Sequence, residues 1–195
     1  MQNPNDCSWP GSDPEYRNYH DKVWGRPEFD SQQLFEKLCL DGQQAGLSWL
    51  TILRKQANYQ RAFAAFNPAI IATWEDAEVE QLVTDAGIIR SRAKISAIIG
   101  NARAYLAIET SEGEFAKWLW QFVDYRQIDM ALESESVMQT ESIESRAMAK
   151  ALKQAGFKFV GPTICYAFMQ AVGMVNDHLV SCSCYEDCKP SIYPW

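Results

Sequence analysis

The sequence lacks a hydrophobic run long enough to cross a membrane. Its longest apolar stretch, Ile164 to Met169, is far shorter than the roughly 18 residues that a spanning helix needs. The first six residues contain neither the basic nor the apolar part of a secretory signal. The chain length and apolar content suit an ordinary folded protein. We therefore expect a cytoplasmic protein that does not contact membranes, with residues 1–195 forming a single domain.

Positive charge is also in short supply. The chain has 18 Lys and Arg against 25 Asp and Glu, a net charge of −7. This balance does not favour DNA binding, because DNA phosphates require basic contacts. The charge is uneven, however: residues 124–144 contain six acids and one base, whereas residues 90–103 and 150–158 contain bases and no acids. A basic face is still available, although composition alone does not indicate DNA.

Alternating strand patterns and internal repeats are absent, and amphipathic helical patterns dominate. Asp30 and Ser31 supply a typical N-cap before a helix with an apolar stripe of Leu34, Phe35 and Leu38. We predict Ser145 as a second N-cap, and Gly87 and Gly156 as C-terminal stops. The Ser- and Glu-rich segment 129–144 is predicted to be a flexible connection. The expected fold is all-α, with further helices over residues 47–63, 76–86, 91–108, 114–123, 145–155 and 163–175.

Histidine is scarce, whereas cysteine is not. Six cysteines in a cytosolic chain indicate reduced thiols or metal binding in preference to disulfides. Twelve residues separate Cys7 from His20, and His178 and Cys182 are four apart, which places them on one face of a helix. Two nitrogen and two sulfur ligands suit a tetrahedral Zn²⁺ site. Such a site would join the two ends of the chain, and four protein ligands would make it structural.

Two alternatives to this metal site remain open. His178 could simply pack against a helix end, with the cysteines as spectators. Cys184 and Cys188 are also candidate ligands, because Cys182, Cys184 and Cys188 form a cluster of their own.

A glycine-containing turn, residues 156–164, joins two predicted helices. Backbone N–H groups at such a turn can bind a phosphate without reading base sequence, although a plain tight turn is the alternative. Phe159 to Thr163, followed by Val175 to His178, resembles the helix-hairpin-helix DNA glycosylase pattern. The stretches Gly42–Trp49, Tyr19–Asp21, Trp24–Gly25 and Asp85–Arg90 are similar to the bacterial 3-methyladenine DNA glycosylase I family. This resemblance extends from Cys7 to about Tyr185.

The resemblance implies a helix-hairpin-helix bundle and an enzyme that hydrolytically excises 3-methyladenine from alkylated double-stranded DNA. The base would be flipped out of the duplex and released by cleavage of its N-glycosidic bond. Activity on 3-methylguanine stays open. The resemblance also implies one structural Zn²⁺ whose ligands are Cys7, His20, His178 and Cys182.

By the same resemblance, Tyr16, Tyr19 and Trp49 contact the base, with ordinary core packing as the alternative for each. The family has a glutamate in this pocket, and Asp41 stands at the matching position. Aspartate retains the charge and acceptor capacity but is one methylene shorter. We therefore expect Asp41 to be the catalytic-site acid, with altered affinity for the base.

The resemblance places Gly46 and Leu47 at the loop that wedges into DNA; the alternative is that Leu47 merely begins a helix. Gly161, Thr163 and Lys158 are the predicted DNA contacts of the hairpin. Further candidates for phosphate contacts are Arg90, Arg92, Lys94 and Lys153. Asn176 stands where many relatives in the wider superfamily have a catalytic aspartate, and no lysine nucleophile is evident. Asp177 is expected to support His178 or a helix end.

Two other classes of function compete with this interpretation. One is a zinc-stapled module that binds damaged DNA without releasing a base, in which Asp41 marks a lost activity. The other is an unrelated zinc hydrolase, which is disfavoured because the sequence has neither H-E-x-x-H nor a deaminase motif. A monomer is expected for an enzyme that scans duplex DNA.

Overall fold

A computed structural model describes residues 6–195 of the chain. Its helices confirm the predicted all-α fold. They are α1 (Pro14–Lys22), α2 (Ser31–Gln44), α3 (Trp49–Leu53), α4 (Gln56–Ala62), α5 (Pro68–Ile71), α6 (Asp76–Leu82), α7 (Arg92–Ser111), α8 (Phe115–Trp120), α9 (Ile143–Gln154) and α10 (Pro162–Ala171). No helix within residues 6–195 combines the length and apolar character needed to cross a bilayer.

Helix α2 is the central element, in contact with α3, α7, α8 and α10. The Asp30 side chain caps it by accepting a hydrogen bond of 2.9 Å from the Gln33 amide, as predicted. Its buried face includes Leu34, Phe35 and Leu38, which are fully shielded from solvent. Burying such side chains contributes about 1.5–3 kcal/mol each. The helix is therefore a rigid platform for the side chains near its C-terminal end.

The prediction of one helix over residues 47–63 is wrong. The structure has two helices there, α3 and α4, which are separated by Arg54 and Lys55. Arg54 pairs with Asp13 and Glu15, and the Lys55 ammonium bonds to the carbonyls of residues 86 and 87. Ile52 and Tyr59 on either side of the break are both buried. The apolar pattern therefore continues across a break that tertiary contacts stabilise.

Three predicted helix boundaries also need correction. The helix predicted over residues 163–175 ends at Ala171. Helix α6 ends at Leu82, so Gly87 lies in the following loop and is not its C-cap. Ser142, not Ser145, caps α9, and the two serines exchange side chain-to-backbone hydrogen bonds as a capping box. The sequence offered two serines three residues apart, and the box uses both.

A small parallel sheet was not predicted. Strands β1 (Ile128–Asp129) and β2 (Val175–Asn176) pair in parallel, and an isolated bridge joins Leu132 to Leu179. Strands of two residues are too short to show alternation. This pairing, together with a hydrogen bond from the Ser8 amide to the Glu135 carboxylate, places parts of the segment 129–144 against Ser8 and against residues 176–179. The flexibility of that segment stays a prediction.

Gly173 brings the end of α10 against the segment that follows α1. It has φ +69°, and an added Cβ would lie 2.5 Å from the Pro27 nitrogen and 2.7 Å from the Gly25 carbonyl oxygen. Backbone atoms cannot move aside as a flexible side chain can. The Gly25 amide also donates to the Ala171 carbonyl at 3.2 Å, so this contact connects the segments that carry both histidines.

We expect Gly173→Ala to lower the free energy of unfolding by about 3 kcal/mol, since left-handed strain and overlap each cost about 1–2 kcal/mol. Urea denaturation measures the difference. Gly100→Ala is the matched control, because a Cβ there meets no atom within 4 Å and Ala favours a helix by about 1 kcal/mol. Equal stability of the two variants would contradict the packing argument.

Candidate active site and metal centre

The four predicted metal ligands lie together. Cys7, His20, His178 and Cys182 are all buried, and one ligand atom from each lies within 4.8 Å of all the others. The Cys182 sulfur is 3.7 Å from His20 Nε2 and 3.6 Å from His178 Nδ1, and the Cys7 sulfur is 3.8 Å from His178 Nδ1. Tetrahedral Zn–S and Zn–N bonds place such atoms about 3.5 Å apart. The donor set and its spacing therefore fit one zinc ion.

The other nitrogen of each histidine has an outer partner. His20 Nδ1 lies 2.7 Å from the Asp21 carboxylate, and His178 Nε2 lies 3.3 Å from the Trp24 carbonyl oxygen. Partners of this kind fix the tautomer, so that the remaining nitrogen of each ring faces the Cys182 sulfur and could bind a metal ion. The hydrogen bond from Cys7 holds the pKa of the Cys182 thiol well below its usual range. A thiolate is the form of cysteine that a metal ion would bind.

The other two cysteines of the C-terminal cluster point elsewhere. Cys184 directs its thiol to the Asp21 carbonyl and Cys188 to the Trp24 carbonyl, both at 3.8 Å. Burial raises the pKa of Cys184 to about 12 and that of Cys188 to about 11. Although Cys184 lies near His20 and Asp21, the thiol geometry favours Cys7 and Cys182 as the sulfur ligands.

Next to the four-residue cluster of Cys7, His20, His178 and Cys182 lies a cavity of about 170 Å³. The rings of Tyr19 and Trp49 are 5.4 Å apart between centroids, and those of Tyr16 and Tyr19 are 6.4 Å apart with an angle of 28° between their planes. Burial raises the pKa of both tyrosines, so they are neutral phenols at physiological pH. The three predicted base-binding residues thus line one cavity, together with Trp9, Trp24, Lys37, Asp41, Gln44, Met138, Ala167, Gln170 and Ala171.

Asp41 lies at the cavity wall and is 1% exposed. One carboxylate oxygen pairs with the Lys37 ammonium, whereas Oδ2 is buried with no hydrogen-bond partner. Burial raises the pKa of Asp41, and the adjacent ammonium opposes that shift. The indole Nε1 of Trp49 is likewise buried and unpartnered. An acceptor and a donor are therefore available to a polar ligand, since buried polar groups are rarely left unpaired.

Lys37 was missed by the sequence interpretation. Its ammonium lies 3.9 Å from the centroid of the Trp49 ring and pairs with Asp41 one turn further along α2. Burial lowers the pKa of Lys37, and Asp41 opposes the shift. The spacing of four residues on a predicted helix was the available signal. Only the fold, however, shows that this face of α2 lines a cavity.

Gln170 is a second cavity residue that the sequence did not indicate. Its side-chain amide donates to Asp177 Oδ2 at 2.6 Å, and the Tyr166 hydroxyl donates to the same oxygen at 2.9 Å. Burial raises the pKa of Asp177, against the effect of these two hydrogen bonds. The Asp177 side chain thus bonds to residues of α10. Asn176 is buried, and its amide donates to the Tyr185 carbonyl at 3.1 Å.

Leu47 does not begin a helix. It is 41% exposed on the loop between α2 and α3, whose N-cap is Ser48. Gly46 has φ +77°, and the Lys94 ammonium holds this loop by donating to the carbonyls of residues 43 and 45, at 2.8 and 2.7 Å. An exposed apolar side chain is therefore presented by a braced loop beside the aromatic cavity.

The predicted hairpin lies between α9 and α10. Gly156 has φ +103° after α9, and Gly161 is the N-cap of α10. The Lys158 backbone amide donates to the Asn101 side chain at 2.8 Å. The Lys158 and Thr163 side chains are exposed. These three predicted DNA contacts, Lys158, Gly161 and Thr163, thus share one turn.

The other predicted phosphate contacts differ in their partners and exposure. Arg92 pairs with Glu80, and the Lys94 ammonium is engaged by the loop carbonyls before Leu47. Arg90 and Lys153 are exposed. DNA binding by Arg90, Arg92, Lys94 and Lys153 stays a prediction, and the Lys94 geometry favours a loop-bracing role.

Comparison with known proteins identifies the family to which this helical fold, with its aromatic and acid-containing cavity, belongs. Residues 9–185 match the methyladenine glycosylase family, and the chain belongs to that family. It is 53% identical over 184 residues to DNA-3-methyladenine glycosylase 1 of Escherichia coli K12, covering 94% of this chain and 98% of that protein. It is 48% identical over 178 residues to DNA-3-methyladenine glycosylase of Haemophilus influenzae, covering 91% and 96%.

A solved structure supports the same assignment. The 3-methyladenine DNA glycosylase I of Staphylococcus aureus, whose structure concerns 3-methyladenine recognition, is 40% identical, with a TM-score of 0.91. The superposition covers 96% of this chain and 98% of that one. The similarity therefore includes the whole helical framework around the cavity.

Proposed function

We propose that this protein is a monofunctional DNA-3-methyladenine glycosylase that starts base excision repair of alkylated DNA. The observation that carries the proposal is the cavity lined by the Asp41 carboxylate and the Trp49 ring, beside the exposed Leu47 loop. The named relatives, with coverage of nearly the full chain, support the same activity. The protein would act in the cytoplasm as a monomer.

The chemistry required of this cavity is modest. An adenine methylated at N3 is a cation while attached to the sugar and leaves as a neutral base, so it needs no strong acid. The electron pair of the broken C–N bond stays with the base, and a water oxygen bonds to the sugar carbon. The protein must hold the extruded base and exclude competing reactions. Aromatic faces attract a desolvated cation by about 1–2 kcal/mol, and Asp41 Oδ2 can accept from the exocyclic amine.

In this proposal the turn from Lys158 to Thr163 acts as a helix-hairpin-helix element. Backbone N–H groups at the start of α10 would hold a DNA phosphate while Leu47 fills the space of the extruded base. The four-residue cluster would hold a structural zinc through Cys7, His20, His178 and Cys182. Because all four positions of a tetrahedron would be occupied by protein, the zinc would not activate water, which disfavours the zinc hydrolase alternative.

Chromatography of bases released from methylated DNA tests the proposal. We expect zinc-replete protein to release free 3-methyladenine without cleaving the strand, and release of 3-methylguanine is measured in the same run. A folded protein that binds methylated DNA but releases no base would instead be the damaged-DNA-binding module. The pairing of Asp41 with Lys37 is the observation that keeps this second candidate, because it reduces the charge available to a cationic base.

Leu47→Ala is expected to slow base release from duplex DNA by about tenfold to a hundredfold, because unstacking a base costs a few kcal/mol that the wedge offsets. Binding of free 3-methyladenine should not change, since Leu47 is outside the cavity lining. Single-turnover release and equilibrium base binding measure the two effects. Loss of both would indicate misfolding, whereas an unchanged release rate in the folded variant would contradict the wedge assignment.

A further inference from the structure

The aromatic cavity contains a positive charge of its own. The Lys37 ammonium lies 3.9 Å from the centroid of the Trp49 ring, and it is paired with Asp41, whose side chain is 2% exposed. The Lys37 side chain is 16% exposed. Lys37 is therefore a fixed component of the cavity wall, not a surface lysine that happens to reach an acid.

This lysine engages both features that would attract a cation. An aromatic face and a carboxylate are the groups that favour a positive ligand, and in this cavity each already contacts the ammonium. A cationic base that enters the cavity meets a like charge at short range, in surroundings where Coulomb interactions are much stronger than in water. A neutral base meets no such repulsion and can accept a hydrogen bond from the ammonium through a ring nitrogen.

We propose that Lys37 is a specificity-determining residue that makes the cavity favour a neutral methylated base over the same base in its cationic form. This inference rests on the proposed function, because it concerns the base that the glycosylase reaction changes from cation to neutral molecule. The pair that Lys37 forms with Asp41 would leave Asp41 Oδ2 to accept from the base amine. The Lys37 ammonium would repel the positive charge of a cationic base.

The charge of the base changes during the reaction, and its repulsion by Lys37 changes with it. When the bond between base and sugar breaks, its electron pair stays with the base nitrogen and cancels the ring charge. The sugar takes up the positive charge until a water oxygen bonds to it and the water releases a proton to solvent. Repulsion between Lys37 and the base therefore falls as the bond breaks. An interaction that is less unfavourable in the transition state than in the bound substrate increases the chemical rate and weakens substrate binding.

Equilibrium binding of two free bases tests the inference without catalysis. One is neutral 3-methyladenine in mildly alkaline buffer, and the other is 3,9-dimethyladeninium, which carries the permanent charge of the attached base. We expect the native protein to bind the neutral base more tightly. Lys37→Met should shift the ratio of the two dissociation constants by at least about tenfold toward the cation. Lys37→Gln, which retains a donor without charge, should shift it in the same direction.

Two variants serve as controls. Lys37→Arg retains the positive charge and should keep a ratio close to the native one. Lys150→Met removes an exposed lysine of α9 and should leave the ratio unchanged, which excludes an effect of net charge. Thermal unfolding establishes that each variant is folded. In single-turnover release from methylated DNA, Lys37→Met should lower both the half-saturating concentration and the rate constant of the chemical step.

The outcomes separate the inference from the proposed function. An unchanged ratio in folded Lys37→Met and Lys37→Gln would overturn the role of Lys37, even if the native protein releases 3-methyladenine normally. If neither base binds the folded native protein and no base is released, the proposed function itself fails. A shifted ratio in Lys37→Gln together with a native ratio in Lys37→Arg supports the inference.

Discussion

If the proposed zinc is bound, Cys182→Ala is expected to lower the free energy of unfolding by several kcal/mol and to abolish zinc binding. Zinc bound by four protein ligands contributes its binding free energy directly to folding, about 10 kcal/mol or more in small zinc modules. Cys182 lies within 3.6–3.7 Å of both histidines, so its loss opens the tetrahedron. Zinc content and thermal unfolding, with and without a chelator, measure the effect.

A second buried cysteine provides the control for this experiment. Cys165 lies in α10, where its thiol is 3.7 Å from the Val160 carbonyl, and it is not part of the four-residue cluster. Cys165→Ala should cost about 1 kcal/mol through lost packing and should retain the metal. If Cys182→Ala keeps one equivalent of zinc and the native response to chelator, the zinc proposal is wrong.

Asp41→Ala is expected to weaken binding of free 3-methyladenine by at least about tenfold, because a charged acceptor in a buried site contributes about 1.5–3 kcal/mol. It should also lower the free energy of unfolding by about 3 kcal/mol, since removing one member of a buried ion pair leaves the other uncompensated. Titration with the free base and urea denaturation measure the two quantities. Asp41→Glu tests whether a longer acid raises the affinity.

A double variant separates these two roles of Asp41. Asp41→Ala combined with Lys37→Met removes the uncompensated ammonium, so we expect much of the lost stability to return. Base affinity should stay low, because no carboxylate is available to accept from the base amine. Equal affinity of the native protein and Asp41→Ala would refute a contact between Asp41 and the base.

Local patterns in the sequence predicted the elements that depend on near neighbours. Asp30 caps α2, as expected, because an N-cap is a contact between residues three apart. Gly156 ends the helix before the hairpin with φ +103°, a backbone conformation that glycine adopts easily. These features need no information from the rest of the fold.

Other predictions were wrong because distant contacts decided the outcome. The apolar period from residue 47 to residue 63 is continuous, yet pairing of Arg54 with Asp13 and Glu15 accompanies a break between α3 and α4. The two short strands depend on pairing between residues 128–129 and 175–176. No window of the sequence contains both partners.

The candidate site divides in the same way. Residue types and a family resemblance were enough to nominate the four metal ligands, Asp41 and the aromatic trio, since cysteine, histidine and aromatic side chains limit the chemistry available. Lys37 was visible only as a helix residue four positions before an acid. That its ammonium lies over Trp49, inside the cavity, follows from the packing of α2 against α3 and α10. The sequence alone therefore determined the chemical groups and the helical class, whereas tertiary packing decided which charge faces the base, because burial and distance set its strength.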